Sequence, residues 1–238
     1  MVRRTKDEAQ ETRSAILDTA ERVFSERGVS RTSLTDIAEA AGLTRGAIYW
    51  HFTDKADLFC EMFARVTMPM EDAPCQVDHS RAADPLASIR TMMVTILKRT
   101  SEDAQARRVF HIIFHKCEYV DEMKPVWKRF SEMQASCVSR IEQGIKAAIA
   151  NGQVAKHVDA RRAALGLHAL VDGLISKWVM DPDYMPIKSE AEHVVDFFLG
   201  ALGHAPASGL PAQRRVRTTR AAGQVRKSVR LRQALVRR

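Results

Sequence analysis

Between Ala41 and Lys55 the chain reads AGLTRGAIYWHFTDK, and no other stretch restricts the fold as much. Gly42-Leu43-Thr44 is a tight-turn signal that closes one helical pattern and caps the next. The pattern before it, TSLTDIAEAAG, opens with Ser33 as N-cap and has Asp36 three residues on, where a capping-box acid sits. Leu34, Ile37, Ala38 and Ala41 form its apolar stripe, and Gly42 ends it. Thr44 then caps a helix through about His51, in which Ile48 and Phe52, four residues apart, supply the inward contacts. Tyr49, Trp50 and His51 are left on other faces. Two short helices joined by a tight turn make a helix-turn-helix unit, and its outer rings call for a partner outside the chain.

Helical periodicity continues on both sides, with no strand alternation, so the expected class is all-α. Upstream, Ile16, Ala20, Val23 and Phe24 recur at helical spacing before Gly28 stops the first helix. Downstream, Thr53 or Asp54 caps a fourth, with Leu58, Phe59, Met62, Phe63 and Val66 facing inward. Further helices are predicted near 85–100, 103–115, 124–150, 159–180 and 187–202. Asn151-Gly152, Pro182 and Pro186 mark breaks, and 71–85 reads as a loop.

The net charge of +8 is unevenly placed. Residues 204–238 hold ten Arg or Lys and no acid, leaving 27 basic against 29 acidic residues before them. That tail, poor in large apolar residues, reads as a solvated extension or as a salt-sensitive nucleic-acid tether. The start, MVRRTKDEAQETR, lacks the apolar run of a secretory signal, and no apolar run approaches the ~20 residues of a membrane span. Cys60, Cys75, Cys117 and Cys137 are far apart and are expected to be free, largely buried thiols of a cytosolic protein. Phosphate-loop, dinucleotide, nucleophile-elbow and zinc-protease motifs do not occur, so neither an enzyme nor a cofactor is expected.

The chemistry of the third helix fits a duplex. Phenol, indole and imidazole of Tyr49, Trp50 and His51 can donate to phosphate oxygens. Arg45 can reach guanine O6 and N7, and Thr44 a phosphate or a thymine methyl. Gly46 costs a helix about 1 kcal/mol relative to alanine, which makes sense if backbone must approach DNA closely. Lys55 and the amide end of the fourth helix can take one more phosphate.

In the remainder, Met92, Met93, Ile96, Phe110, Phe114, Met133, Leu167, Leu170, Val171 and Leu174 can line an apolar cavity or form plain core. Asp172, a carboxylate on an apolar helix, pairs structurally or meets a polar ligand group. In HIIFHKCE, His111 and His115 share a helix face, but Cys117 points about 160° from His111, which disfavours a metal site. Ala164, Leu167, His168 and Ile175 on one late helix, with Val194, Val195, Phe198 and Leu202 on the last, give stripes that two copies could join into a four-helix bundle.

Residues 12–59, and above all RGAIYWHF with the following DK and DLF, resemble the DNA-binding domain of the TetR family of transcriptional repressors. The resemblance implies an all-helical homodimer: a three-helix helix-turn-helix domain over 1–56, a ligand-binding and dimerisation domain over 57–203, and the basic tail over 204–238. Arg45, Gly46 and Ala47 would face bases; Ser33, Thr44, Tyr49, Trp50, His51 and Lys55 would position phosphates. MVRRTKDEAQETR, FHKCEYVDEM and VDGLISKW further resemble the multidrug-efflux repressors of the AcrR/TtgR group. That implies a palindromic operator of an RND-type efflux operon, released by lipophilic drug-like inducers. Met92, Met93, Ile96, Phe110, Phe114, Met133, Leu167, Val171, Asp172 and Ser176 would bind them, in a chamber made more apolar by the two phenylalanines. The alternatives are a TetR-type repressor answering a metabolite and a helical protein coating nucleic acid through its tail.

Overall fold

Side-chain caps set where the helices start. The computed structural model describes residues 6–71, 78–118 and 120–203. Among these are nine α-helices and no strand. They are α1 (Lys6–Arg27), α2 (Leu34–Ala40), α3 (Arg45–His51), α4 (Lys55–Glu71), α5 (Pro85–Glu102), α6 (Ala104–His115), α7 (Lys124–Ala150), α8 (Ala160–Met180) and α9 (Ile187–Leu202). Ser33 and Asp36 close the expected capping box, with Asp36 N–H donating to Ser33 Oγ at 3.1 Å and Ser33 N–H to Asp36 Oδ2 at 2.7 Å. Thr44 Oγ1 accepts from Ala47 N–H at 3.2 Å, and Asp54, rather than Thr53, caps α4 by accepting from Asp57 N–H at 2.8 Å. Gly28 and Gly42 take φ of 83° and 69°, the left-handed region in which a helix-ending glycine is unstrained.

The core runs continuously from the first helices to the last. Ile16, Leu17, Ala20 and Phe24 of α1 are buried against α2, α4 and α6, and the Phe24 and Phe59 rings meet at 5.8 Å. The α2–α3 unit buries Leu34, Ile37, Ile48 and Phe52 beneath it. In the larger part α7 and α8 pack together, α6 lies on α8, and α5 on α9. Arg90 of α5 bonds Asp196 and Glu192 of α9, fastening that last pair.

Two readings change. The loop expected over 71–85 contains a 3-10 turn, His79–Arg81, that packs on α7. His79 is buried there, its Nδ1 2.8 Å from Ser88 Oγ and its Nε2 3.3 Å from Met92 Sδ. Gly144 makes room for the turn, since a Cβ on it would stand 2.8 Å from both His79 Cβ and Ile89 Cδ1. Secondly, α8 reaches a mean hydropathy of 1.2 over an 18-residue window, so by length and composition it could cross a bilayer, contrary to the expectation from run length. Its apolar face, Ala164, Leu167, Val171 and Ile175, is buried, and its middle carries His168 and Asp172. Cys60 and Cys117 are free thiols, and they and Cys137 are half-buried rather than fully so; Cys75 and the basic tail lie outside the described residues.

One buried carboxylate joins three helices. Glu21 of α1 accepts from Gln105 Nε2 of α6 at 2.6 Å, with Arg108 Nη2 at 3.5 Å and Arg65 Nη1 of α4 at 3.8 Å. Burial pushes its pKa above the ordinary 4.5, while Gln105, Arg108 and Arg65 oppose that rise. A carboxyl group whose folded pKa is raised adds stability below its unfolded pKa and loses it as pH climbs through the folded value. The unfolding free energy of the native chain, less that of a Glu21→Gln variant, should therefore fall as pH rises above 4.5 in denaturant titrations. A difference that grows with pH would contradict this account.

Candidate DNA-binding face and ligand cavity

The third helix is too short to hold itself up, and two inward residues anchor it. Ile48 and Phe52 are fully buried, whereas Arg45, Gly46 and Tyr49 are exposed and Trp50 is 72% exposed. The Arg45 guanidinium lies over the Tyr49 ring at 5.5 Å, and Trp50 meets His51 edge-on at 4.6 Å. These contacts limit rotamer freedom without covering the polar tips. A Cβ on Gly46 would find only Thr44 Oγ1, at 4.0 Å. Nothing inside the chain therefore requires a glycine there. Thr44 keeps its hydroxyl hydrogen, because the cap uses only the oxygen as acceptor.

Two residues expected on phosphates are spent inside the chain. Ser33 Oγ donates to Asp36 Oδ2 at 2.6 Å. Lys55, only 6% exposed, donates to the carbonyls of Val29 and Thr32, both at 3.0 Å, and meets Glu122 Oε2 at 3.0 Å. Its ammonium is a clamp for the α1–α2 loop, so the phosphate role read from sequence is corrected. Beside it, Val29 N–H donates to the Lys116 carbonyl at the end of α6, at 2.9 Å. The loop carrying α2 and α3 is thus tied to α4, to α6 and to the connection after α6.

A cavity of about 100 Å³ opens between α4, α5, α6, α7 and α8. Seven of the ten expected ligand residues line it: Met93, Ile96, Phe110, Phe114, Met133, Val171 and Asp172. Phe110 and Phe114 stack at 6.1 Å, and Phe130 stands edge-on to Phe114 at 6.4 Å, giving an aromatic wall. Asp172 accepts from Gln134 Nε2 at 3.0 Å and lies 3.5 Å from His168 Nδ1. Burial raises its pKa; the nearby imidazole and the Gln134 bond act the other way.

Three expected ligand residues are elsewhere. Met92 and Leu167 point into the core, and Ser176 only presents its carbonyl to His115 Nε2, at 2.9 Å. The sequence reading missed Phe130, Gln134, Cys137 and Arg140, which share one face of α7 with Met133. Their spacing was the available signal; their mixed polarity hid it.

The expected dimer face is turned. Ala164, Ile175 and Val195 are buried within the chain, and His168 and Ile175 line the cavity. Val194, Phe198 and Leu202 are half-buried. The outward positions are Leu165 (47% exposed) and Ala169 on α8, and Phe197 (83% exposed) and Ala201 on α9. In the HIIFHKCE stretch the rings of His111 and His115 lie 5.4 Å apart. Among the described residues no group of three or more His, Cys, Asp or Glu is placed to hold an ion.

Comparison with known proteins supplies two matches along the chain. Residues 16–62 match the model for bacterial regulatory proteins, tetR family, and residues 84–204 match that for the C-terminal region of MAATS-type transcriptional repressors. The chain is 40% identical over 207 residues to the HTH-type transcriptional regulator TtgR of Pseudomonas putida, covering 87% of this chain and 99% of that one. The crystal structure of NalD, the secondary repressor of the MexAB-OprM multidrug efflux pump in Pseudomonas aeruginosa, is similar with a TM-score of 0.76 and 34% identity, over 83% of this chain and 98% of NalD. A SmeT–triclosan complex follows with a TM-score of 0.69 and 28% identity, over 85% of this chain and 100% of that one. SmeT is the repressor of the Stenotrophomonas maltophilia multidrug efflux pump SmeDEF.

The lysine and the glycine make opposite predictions. Lys55→Met removes the lysine partner of the Thr32 carbonyl and leaves the Val29 carbonyl with the Thr32 N–H alone, at roughly 1–3 kcal/mol, and about 2–4 °C of melting temperature is lost per kcal/mol in a chain of this size. The salt dependence of DNA binding should keep its slope, whereas loss of a phosphate lysine would lower it by about one. Gly46→Ala should hold or slightly raise the melting temperature and weaken DNA binding. Calorimetry and fluorescence anisotropy at several salt concentrations test both.

Proposed function

This chain belongs to the tetR family of bacterial regulatory proteins, and from that premise we propose that it represses an RND-type multidrug efflux operon and is released by lipophilic inducers. The observation that carries the reading is the division of labour in α3: Ile48 and Phe52 are buried while Arg45, Gly46, Tyr49 and Trp50 face solvent. A structural helix has no use for that second face. A duplex does.

In this reading residues 1–56 bind DNA and 57–203 bind the inducer and a second copy. Arg45, Gly46 and Ala47 meet base edges; Thr44, Tyr49, Trp50 and His51 fix the helix on phosphates. Two copies join through the outward faces of α8 and α9 around Leu165 and Phe197, placing two α3 helices about 34–36 Å apart on a palindromic operator. Such a protein works where the DNA is, in the cytoplasm.

Release follows from shared walls. Thr67 of α4 and Phe110 and Phe114 of α6 line the cavity, while the start of α4 and the residue just after α6 hold the loop ahead of α2. A drug-sized ligand needs about 300–1,000 Å³, more than the roughly 100 Å³ of this partly open cavity. Entry therefore widens the cavity, displaces α4 and α6, and shifts the α3 spacing. Ligand and operator weaken each other by the same factor. Similarity to NalD and SmeT supports efflux rather than metabolite control, and the aromatic cavity wall agrees with it.

Footprinting upstream of the chain's own gene, with and without a panel of neutral lipophiles including triclosan, tests the function. A two-fold-related footprint that fades as lipophile is added is the expected result; a footprint indifferent to the whole panel removes the efflux reading. Leu165→Glu combined with Phe197→Glu should give a folded monomer by light scattering and lose operator binding. A variant that remains dimeric would move the interface elsewhere.

A further inference from the structure

Arg140 has no counterpart in the functional account so far. It lines the cavity from α7, and its Nε is buried without a hydrogen-bond partner. Among the described residues no carboxylate pairs with it. Asp172, the acid in the same wall, is already engaged by Gln134 and His168. His79, on the turn packed against α7, carries the mark of this charge: burial lowers its pKa first, and the Arg140 guanidinium lowers it further. Apart from Thr67, Cys137 and the polar groups just named, the lining is apolar or aromatic, so the half-buried guanidinium borders a poorly solvating space. A buried donor left unsatisfied is destabilising, and an anionic oxygen is its strongest complement, since guanidinium–carboxylate bonds are charge-assisted and planar.

We propose that the cavity selects lipophilic organic carboxylates, with Arg140 receiving the carboxylate and the Phe110–Phe114 wall receiving the apolar body. The proposal rests on the inducer reading above and gives that site its charge preference. A cation of the same shape meets Arg140 as a like charge. A neutral analogue keeps the stacking and loses the charged contact. A hydroxyl or amine elsewhere on the ligand can reach Asp172, whose two partners leave lone pairs free.

Three probes with one ring system separate these terms: 2-naphthoate, 2-naphthol and 2-naphthylmethylammonium, titrated calorimetrically into the full-length protein. The unmodified chain should bind naphthoate about tenfold or more tighter than the ammonium compound. Arg140→Met, which keeps length and apolar stem, should weaken naphthoate about tenfold while moving naphthol less than about threefold. Arg140→Lys should fall between. Equal affinity for anion and cation in the unmodified chain overturns the proposal without any variant. Equal losses for naphthoate and naphthol in a folded Arg140→Met variant do the same. Operator release by naphthol, with no advantage for naphthoate, sinks the Arg140 assignment and leaves the inducer site standing. If no probe binds or releases operator, the inducer reading itself falls, and this one with it.

Discussion

The clamp at Lys55 is the constraint on which the other relationships depend. An ammonium in the interior is tolerated only when its donors are met, and here two carbonyls and one carboxylate meet all three. Both carbonyls belong to the segment just ahead of α2, and the carboxylate belongs to the segment after α6. The helix-turn-helix unit therefore cannot shift without α4. Glu21 adds a second tie between the same parts, joining α1 to α6 and α4 around one buried carboxylate.

On α4 the cavity lies near the end opposite Lys55, and on α6 it lies close to Lys116. Its walls are mostly apolar, and two flexible methionines, Met93 and Met133, can adjust their packing. In the proposed mechanism the clamped loop belongs to the DNA-binding conformation and an occupied cavity to the second. A ligand shifts the balance only by its preference for the second. The geometry needed for such a preference is steric: a drug-sized body needs about 300–1,000 Å³, more room than the cavity offers here.

Much of this was legible before any coordinates, for identifiable reasons. Caps and helix-ending glycines are local, so Ser33, Thr44, Gly28 and Gly42 announced their elements directly. The two faces of α3 were equally readable, because Ile48 and Phe52 are adjacent on a helix and no other large residue there lacks a polar tip. Long-range partners were not. Lys55 looks like a surface cation until the carbonyls of Val29 and Thr32 are placed around it. On α8 an apolar stripe faces inward and another outward, and a rotation of one residue exchanges them; Ala164 and Ile175 were assigned to the wrong one. Leu165 and Phe197 lie in runs that are apolar on every side, so periodicity did not say which residues of the run face outward. Arg140 sits on a helix with many charges, and only the fold singles it out.

Three tryptophans are distributed across the molecule's working parts. Trp50 projects from α3 into solvent, Trp178 is buried on α8, and Trp127 packs edge-on to Phe130 of the cavity wall at 6.1 Å. Excited indoles emit at longer wavelength in water than in apolar surroundings, so the protein carries distinguishable internal chromophores. One reports from the nucleic-acid side and another from beside the chamber, and the traffic between the two can be followed optically in an unlabelled chain.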